Sequence, residues 1–192
     1  MQVTLDKQYS VASGPDAAWA VLSNINELAT CMPGAQITEQ VDTNHYKGSV
    51  RVKVGPAVAA FAGTIEVLSL DAAARTLKMV GKGADKGGSS ASMELTASLL
   101  PAGNGQCLLH GHSEVIVNGK FAQFGGRMMT SVSDMILAQF AETFSQKALA
   151  LQTGGAEAGV GPSAPKVARE LNALAILWAL IKKFFAGLFG KR

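Results

Sequence analysis

GKFAQFGGRMMTSVSDMILAQFAETFSQKALA, residues 119–150, decides the fold. Phe121, Phe124, Met128, Val132, Met135, Ile136, Phe140 and Phe144 recur at steps of three and four, while Asp134, Gln139, Glu142 and Lys147 fall elsewhere. That spacing gives one apolar stripe on a long helix. A stripe of this length needs an apolar surface to cover it, and the preceding sequence supplies one.

Six strand-like runs lead up to the helix: 35–41, 46–54, 59–70, 76–82, 92–100 and 106–117. Turn signals divide them: Asp42-Thr43-Asn44, Gly55-Pro56, Asp71-Ala72-Ala73, the glycine-rich 81–88 and Pro101 to Gly105. Short connections make the runs an antiparallel meander. Val50, Val52 and Val54 alternate with Arg51 and Lys53, and Met93, Leu95, Ala97 and Leu99 alternate with Ser92, Glu94, Thr96 and Ser98. One face of the sheet is therefore dry and the other wet. A seventh strand opens the chain, with Val3 and Leu5 set against Gln2, Thr4 and Asp6. Ser13-Gly14-Pro15-Asp16 then starts a helix, Ser13 being read as its cap and Trp19, Val21 and Leu22 as its buried side. A second short helix over 25–31 stops at Met32-Pro33-Gly34. The class is α+β: a seven-stranded antiparallel sheet, two short helices after the first strand, and a long helix free to lie across the dry face.

The 192 residues suit one domain plus an appendage. At 48% apolar residues the chain is too hydrophobic to be disordered. Residues 1–150 hold 11 Lys/Arg against 12 Asp/Glu, a net of −1, whereas 151–192 hold 6 against 2, a net of +4. A neutral body lacks the basic face that nucleic-acid binding requires. Cys31 and Cys107 form no metal-binding spacing, and the first residues lack the apolar core of a secretory signal. These features set the expectation of a reducing, cytoplasmic setting.

The chain divides into a body, 1–151, a Gly/Ala/Pro linker, 152–165, and a basic apolar segment, 166–192. In the last, Leu174, Leu177, Trp178, Ile181, Phe184, Phe185 and Leu188 cover a wide helical arc, with Lys182, Lys183, Lys191 and Arg192 available to anionic headgroups. Spanning a bilayer would put Lys182 and Lys183 near the centre of the segment. Each costs about 2.5–3.5 kcal/mol there, while each Leu, Ile or Phe returns roughly 0.3–0.6 kcal/mol. A helix lying in the membrane plane keeps both ammonium groups wet and is the favoured reading.

Three blocks carry a family resemblance: AWAVLSNINELATCMPG (18–34), RVKVGPAVAAFAGTIEV (51–67) and VNGKFAQFGGRMM (117–129). With them, residues 1–150 resemble the carbon monoxide dehydrogenase G-subunit family, of the helix-grip, Bet v 1/START-like (SRPBCC) superfamily. The resemblance implies a non-catalytic accessory protein of a molybdenum hydroxylase of the carbon monoxide dehydrogenase type. It would attach that enzyme to the inner face of the cytoplasmic membrane and handle a quinone acceptor, menaquinone or ubiquinone, with no covalent cofactor. A purely structural membrane tether or assembly factor is the alternative. A helix-grip enzyme acting on an apolar substrate is a third, which would need an ionisable group on the dry face.

A sheet that grips a helix leaves space between them, and apolar concave spaces take ligands. Val52, Val54, Phe61, Ile65, Met79, Met93 and Leu95 from the sheet, and Phe121, Phe124, Met128, Val132, Met135 and Ile136 from the helix region, are the expected lining. The same residues would equally suit a filled core. Residues 81–88, GKGADKGG, lack the GxxxxGK[ST] pattern and are read as a hairpin loop. His110, His112 and Glu114 share one strand face, but the face is read as wet and a third close metal ligand is missing. Glu66 and Glu94 are placed on the wet face too. No GxSxG or Cys–His arrangement marks a nucleophile, so no catalytic or metal-binding residue is expected.

Overall fold

A computed structural model describes residues 1–54 and 57–156. Gly55-Pro56, the Val54 side chain and most of the expected linker lie outside the described residues. So does the whole 166–192 segment, including every residue expected to touch a membrane. Seven strands, β1 (Gln2–Val11), β2 (Ala35–Gln40), β3 (His45–Val54), β4 (Ala57–Asp71), β5 (Thr76–Ala84), β6 (Ser90–Gly103) and β7 (Gln106–Asn118), form one antiparallel sheet in the order β1-β7-β6-β5-β4-β3-β2. Between β1 and β2 lie α1 (Pro15–Leu22) and α2 (Ile25–Cys31), and after β7 comes the long α3 (Gly126–Ala156). This is the expected helix-grip arrangement.

Four local readings change. Ser13 does not cap α1: its side chain is buried, and the cap is Gly14, whose N–H donates to Gln152 Oε1 at 2.6 Å. Pro15 in the first turn supplies the helical φ, so the start needs no side-chain cap. The terminal helix does not begin at 119. Residues Gly119–Phe124 form a 3-10 turn, and Gly125, at φ 75°, breaks the chain before α3 starts at Gly126. Of the expected loop 81–88, Gly81 to Ala84 continue β5. There Gly63 of β4 pairs with Gly83 of β5, and a Cβ on Gly63 would lie 1.9 Å from the Lys82 carbonyl oxygen. The two strands approach too closely there for a side chain at position 63, which glycine alone allows. Finally, α3 runs to Ala156, five residues into the stretch read as linker.

The core forms in two parts. At one end Val21, Leu22, Ile25, Leu28, Leu77, Ala97, Leu99 and Phe144 are buried together, with Phe140 stacked on Phe144 at 5.9 Å between ring centroids. Small residues Ala141 and Ala148 let α3 settle closely on β1, α1 and α2. Lys147 Nζ lies 2.6 Å from Glu27 Oε2 on α2, and Ser145 Oγ accepts the Ala12 N–H at 2.9 Å. At the other end Ala59, Val117 and Phe121 form a smaller buried group. Cys31 and Cys107 are free and buried, and burial pushes both thiols above their ordinary pKa.

Truncating the ring at the centre of the larger core, Phe144→Ala, should lower stability by about 3–5 kcal/mol, read from urea unfolding with an unchanged slope. Both thiols should resist a thiol-specific reagent at neutral pH in the folded protein and react on unfolding; modification of either in the native state would contradict the burial.

A candidate ligand site between the sheet and the long helix

Odd-numbered residues of β4, β5, β6 and β7 face α3 across the central sheet. Register carries one row from Leu5 through Ser113, Leu95 and Met79 to Val67, and the next from Val3 through Val115, Met93, Gly81 and Ile65 to Tyr46. In a filled core such residues would be fully buried. Here Val3, Val115, Met93, Leu95, Met79, Ile65, Phe61 and Val52 are only half-buried, as are Met128 and Val132 opposite them. A Cβ on Gly111 would meet no heavy atom within 4 Å, and one on Gly81 only the Met93 methyl at 3.8 Å and a carbonyl at 4.0 Å. The middle of the interior is thus an accessible apolar band between two packed ends.

The expected lining residues divide accordingly. Val52, Phe61, Phe124, Met128 and Val132 gather around buried Phe121, with the Phe61 and Phe121 rings 5.7 Å apart. Ile65, Met79 and Leu95 pack against the larger core. Met93 and Ile136 are half-buried. Met135 differs, being 52% exposed and in neither group. On β1 and β7, Val3 and Val115 belong to the band, with Leu5 and Ser113 buried beside them, and none of the four was among the expected residues. A groove of about 510 Å³ opens beside Phe121 and Phe124, lined also by Ala57, Val58, Lys120 and Gln123. A second, of about 350 Å³, runs between Tyr9 and Ser10 of β1 and the stretch of α3 from Ala138 to Gln146.

Sequence reading missed the polar groups at the β1 edge of this interior, where the Lys7 and Asp134 side chains are 35% and 47% exposed. The alternation that places Leu5 and Val11 inward also turns Lys7 and Tyr9 inward, and the pattern Leu5, Lys7, Tyr9, Val11 was the signal available. Lys7 Nζ lies 2.8 Å from Asp134 Oδ1 of α3. This is a close ion pair, and Asp134 Oδ1, shielded from solvent, has no partner besides the Lys7 ammonium. Contact with Asp134 holds the Lys7 ammonium above the ordinary lysine pKa. Burial raises the Tyr9 phenol, Lys7 opposes that shift and Asp134 adds to it.

His110, His112 and Glu114 lie on the outer face, as expected. Asp6 of β1, directly across from His112, joins the two imidazoles: its Oδ1 lies 3.0 Å from His110 Nε2 and its Oδ2 3.0 Å from His112 Nδ1. Glu114 instead accepts from Gln2 at 3.4 Å. Among the described residues no group of three His, Cys, Asp or Glu side chains is placed to hold a metal. Glu66 and Glu94 are exposed on the outer face.

Residues 8–149 match the family model for the G subunit of carbon monoxide dehydrogenase (CoxG). No curated protein matches the chain. Among solved structures, a conserved protein from Geobacillus kaustophilus superposes with a TM-score of 0.69 at 18% identity, over 77% of this chain and 95% of that one. The Zhui aromatase/cyclase from Streptomyces sp. R1128 gives 0.57 at 13% identity, over 78% and 95%. A START superfamily protein from Mycobacterium smegmatis gives 0.54 at 14% identity, over 77% and 98%. At these identities the likeness is one of fold, and it bears out the START-like helix-grip assignment.

The outer-face cluster sets an acid response. Hydrogen bonds from His112 and His110 hold the Asp6 carboxyl below its ordinary pKa. A depressed carboxyl contributes stability that is present above the unfolded value, about 4, and is lost as pH falls through the lowered folded value. Asp6→Asn should therefore destabilise the protein at neutral pH, with the gap to wild type closing below about pH 4 in thermal melts. A gap independent of pH would show that the Asp6 carboxylate contributes nothing through its charge.

Proposed function

This chain belongs to the CoxG family of carbon monoxide dehydrogenase proteins, and from that membership we propose that it is a non-catalytic accessory protein that carries a lipophilic quinone. It serves a molybdenum hydroxylase of the carbon monoxide dehydrogenase type, recruits that enzyme to the cytoplasmic membrane and delivers the electron acceptor. The observation that supports a carrier over a solid tether is the accessible apolar band between sheet and helix. A prenyl chain withdrawn into it avoids roughly 25 cal/mol for every Å² of apolar surface kept from water. The deformable thioethers of Met79, Met93 and Met128 suit a long flexible guest. Recruitment rests on the sequence of 166–192, whose apolar arc and four terminal cations suit an anionic bilayer surface.

The full chain, purified from a quinone-containing host, should yield menaquinone or ubiquinone on solvent extraction. Val132→Trp, which places an indole in the band, should abolish the yield while leaving the melting temperature within a few degrees. Removal of 166–192 should release the dehydrogenase from membranes. A full chain that yields no quinone and takes none up from quinone-loaded vesicles would sink the carrier reading; loss of membrane attachment in the truncated chain would then leave a tether.

A further inference from the structure

We infer that the apolar band has a polar pole, the Lys7–Asp134 pair, that selects guests carrying an oxygen-bearing head group and fixes which end enters first. The inference rests on the carrier reading above and specifies the chemistry of its guest.

Three observations converge on this pole. Lys7 pairs in register with Gly111, and Gly111 with Ala97, itself paired with buried Leu77. The ammonium therefore stands where the open band meets the packed core. Immediately beside it, the missing side chain of Gly111 leaves unfilled volume on the face that carries Leu109 and Ser113. Third, the pair is not saturated. An ammonium has three N–H donors and Asp134 occupies one direction, while Asp134 Oδ1, shielded from solvent, has no partner besides Lys7 Nζ and keeps a second lone pair. A guest carbonyl oxygen can accept from Lys7 Nζ, and a guest hydroxyl can donate to Asp134 Oδ1. A ring carrying either group is recognised at this pole, and an unadorned hydrocarbon is not.

The rest of the interior sets the orientation. From Gly111 along β7 to Val117, which packs on Phe121, is six residues, about 20 Å at strand rise. The intervening lining is apolar apart from Ser113. The head group accordingly sits at Lys7, and the chain runs toward Phe121, Phe124 and the adjoining groove.

Removing one charge alone would strand the other in a partly enclosed site, whereas replacing both with apolar groups of similar volume is commonly tolerated. The decisive variant is therefore Lys7→Met/Asp134→Leu, with Lys7→Arg as the conservative partner that keeps the donors. The probes are short-chain menaquinone, which has two ring carbonyls, and squalene, which has the prenyl chain and no oxygen. Uptake of each from neutral phosphatidylcholine vesicles by the full chain is measured beside the melting temperature. Wild type should take up menaquinone in preference to squalene. The double variant should lose at least tenfold in menaquinone uptake while keeping squalene uptake, and Lys7→Arg should retain most of the preference. Equal menaquinone uptake by the wild type and double variant, with squalene also taken up, would overturn the polar pole and leave the carrier reading intact. A parallel fall for both probes would overturn it too, by assigning the pair to packing. Uptake of neither probe by the wild type would end both readings together.

Discussion

One asymmetric contact governs the molecule: α3 is pressed onto the sheet and the short helices at its C-terminal half and is held less closely at its N-terminal half. Phe144 and Ala148 are wholly buried, and Ala141 nearly so, so this half lies closely against β1, α1 and α2 apart from the groove beside Tyr9 and Ser10. Polar ties reinforce the same end, from Lys147 to Glu27, Ser145 to Ala12 and Gln152 to Gly14. The other half presents Met128 and Val132 to strands whose facing residues stay accessible. A helix packed evenly along its length would have filled the interior. Anchored at one end, it holds the fold together and still leaves an apolar space.

The architecture was legible because it rests on two periods that differ sharply. Alternation over β3 and β6 and three-four spacing over α3 survive in the sequence as written, and the pairing order follows from short connections. Boundaries that depend on backbone geometry were not legible. Gly125 ends a 3-10 turn by adopting a positive φ, and Gly81 and Gly83 look like loop residues although both lie inside β5, paired with β4. The candidate site was legible in its apolar part, where residue type and face agree. Its polar part was obscured because a lysine reads as a solvent residue. Only tertiary structure reveals that α3 brings Asp134 to it. Asp6 was likewise visible as an early acid, but its bridging of two histidines depends on the β1–β7 register.

Fold likeness alone leaves chemistry open, since one superposable protein is an aromatase/cyclase and one scaffold can host unrelated functions. The division of polar groups is more informative. The outer face holds an acid between two imidazoles, while one pair of opposite charges, Lys7 and Asp134, stands half-exposed at the β1 edge of an otherwise apolar interior. A single balanced pair suits recognition of a neutral, dipolar guest. It keeps the interior free of net charge, which would otherwise repel a hydrocarbon chain by retaining water.

The close approach at Gly63 carries a consequence beyond strand pairing. The Gly63 hydrogen stands where a side chain would force the two strands apart, whereas Gly83 opposite has room for a Cβ, so Gly63 fixes the spacing of β4 and β5 in that part of the wall. The residues that give the apolar band its chemical character are different ones, drawn from β1, β3, β4, β5, β6, β7 and α3. Strand spacing and lining chemistry are consequently encoded at separate positions: the apolar side chains can change without moving the wall, while a side chain at Gly63 would shift β4 against β5.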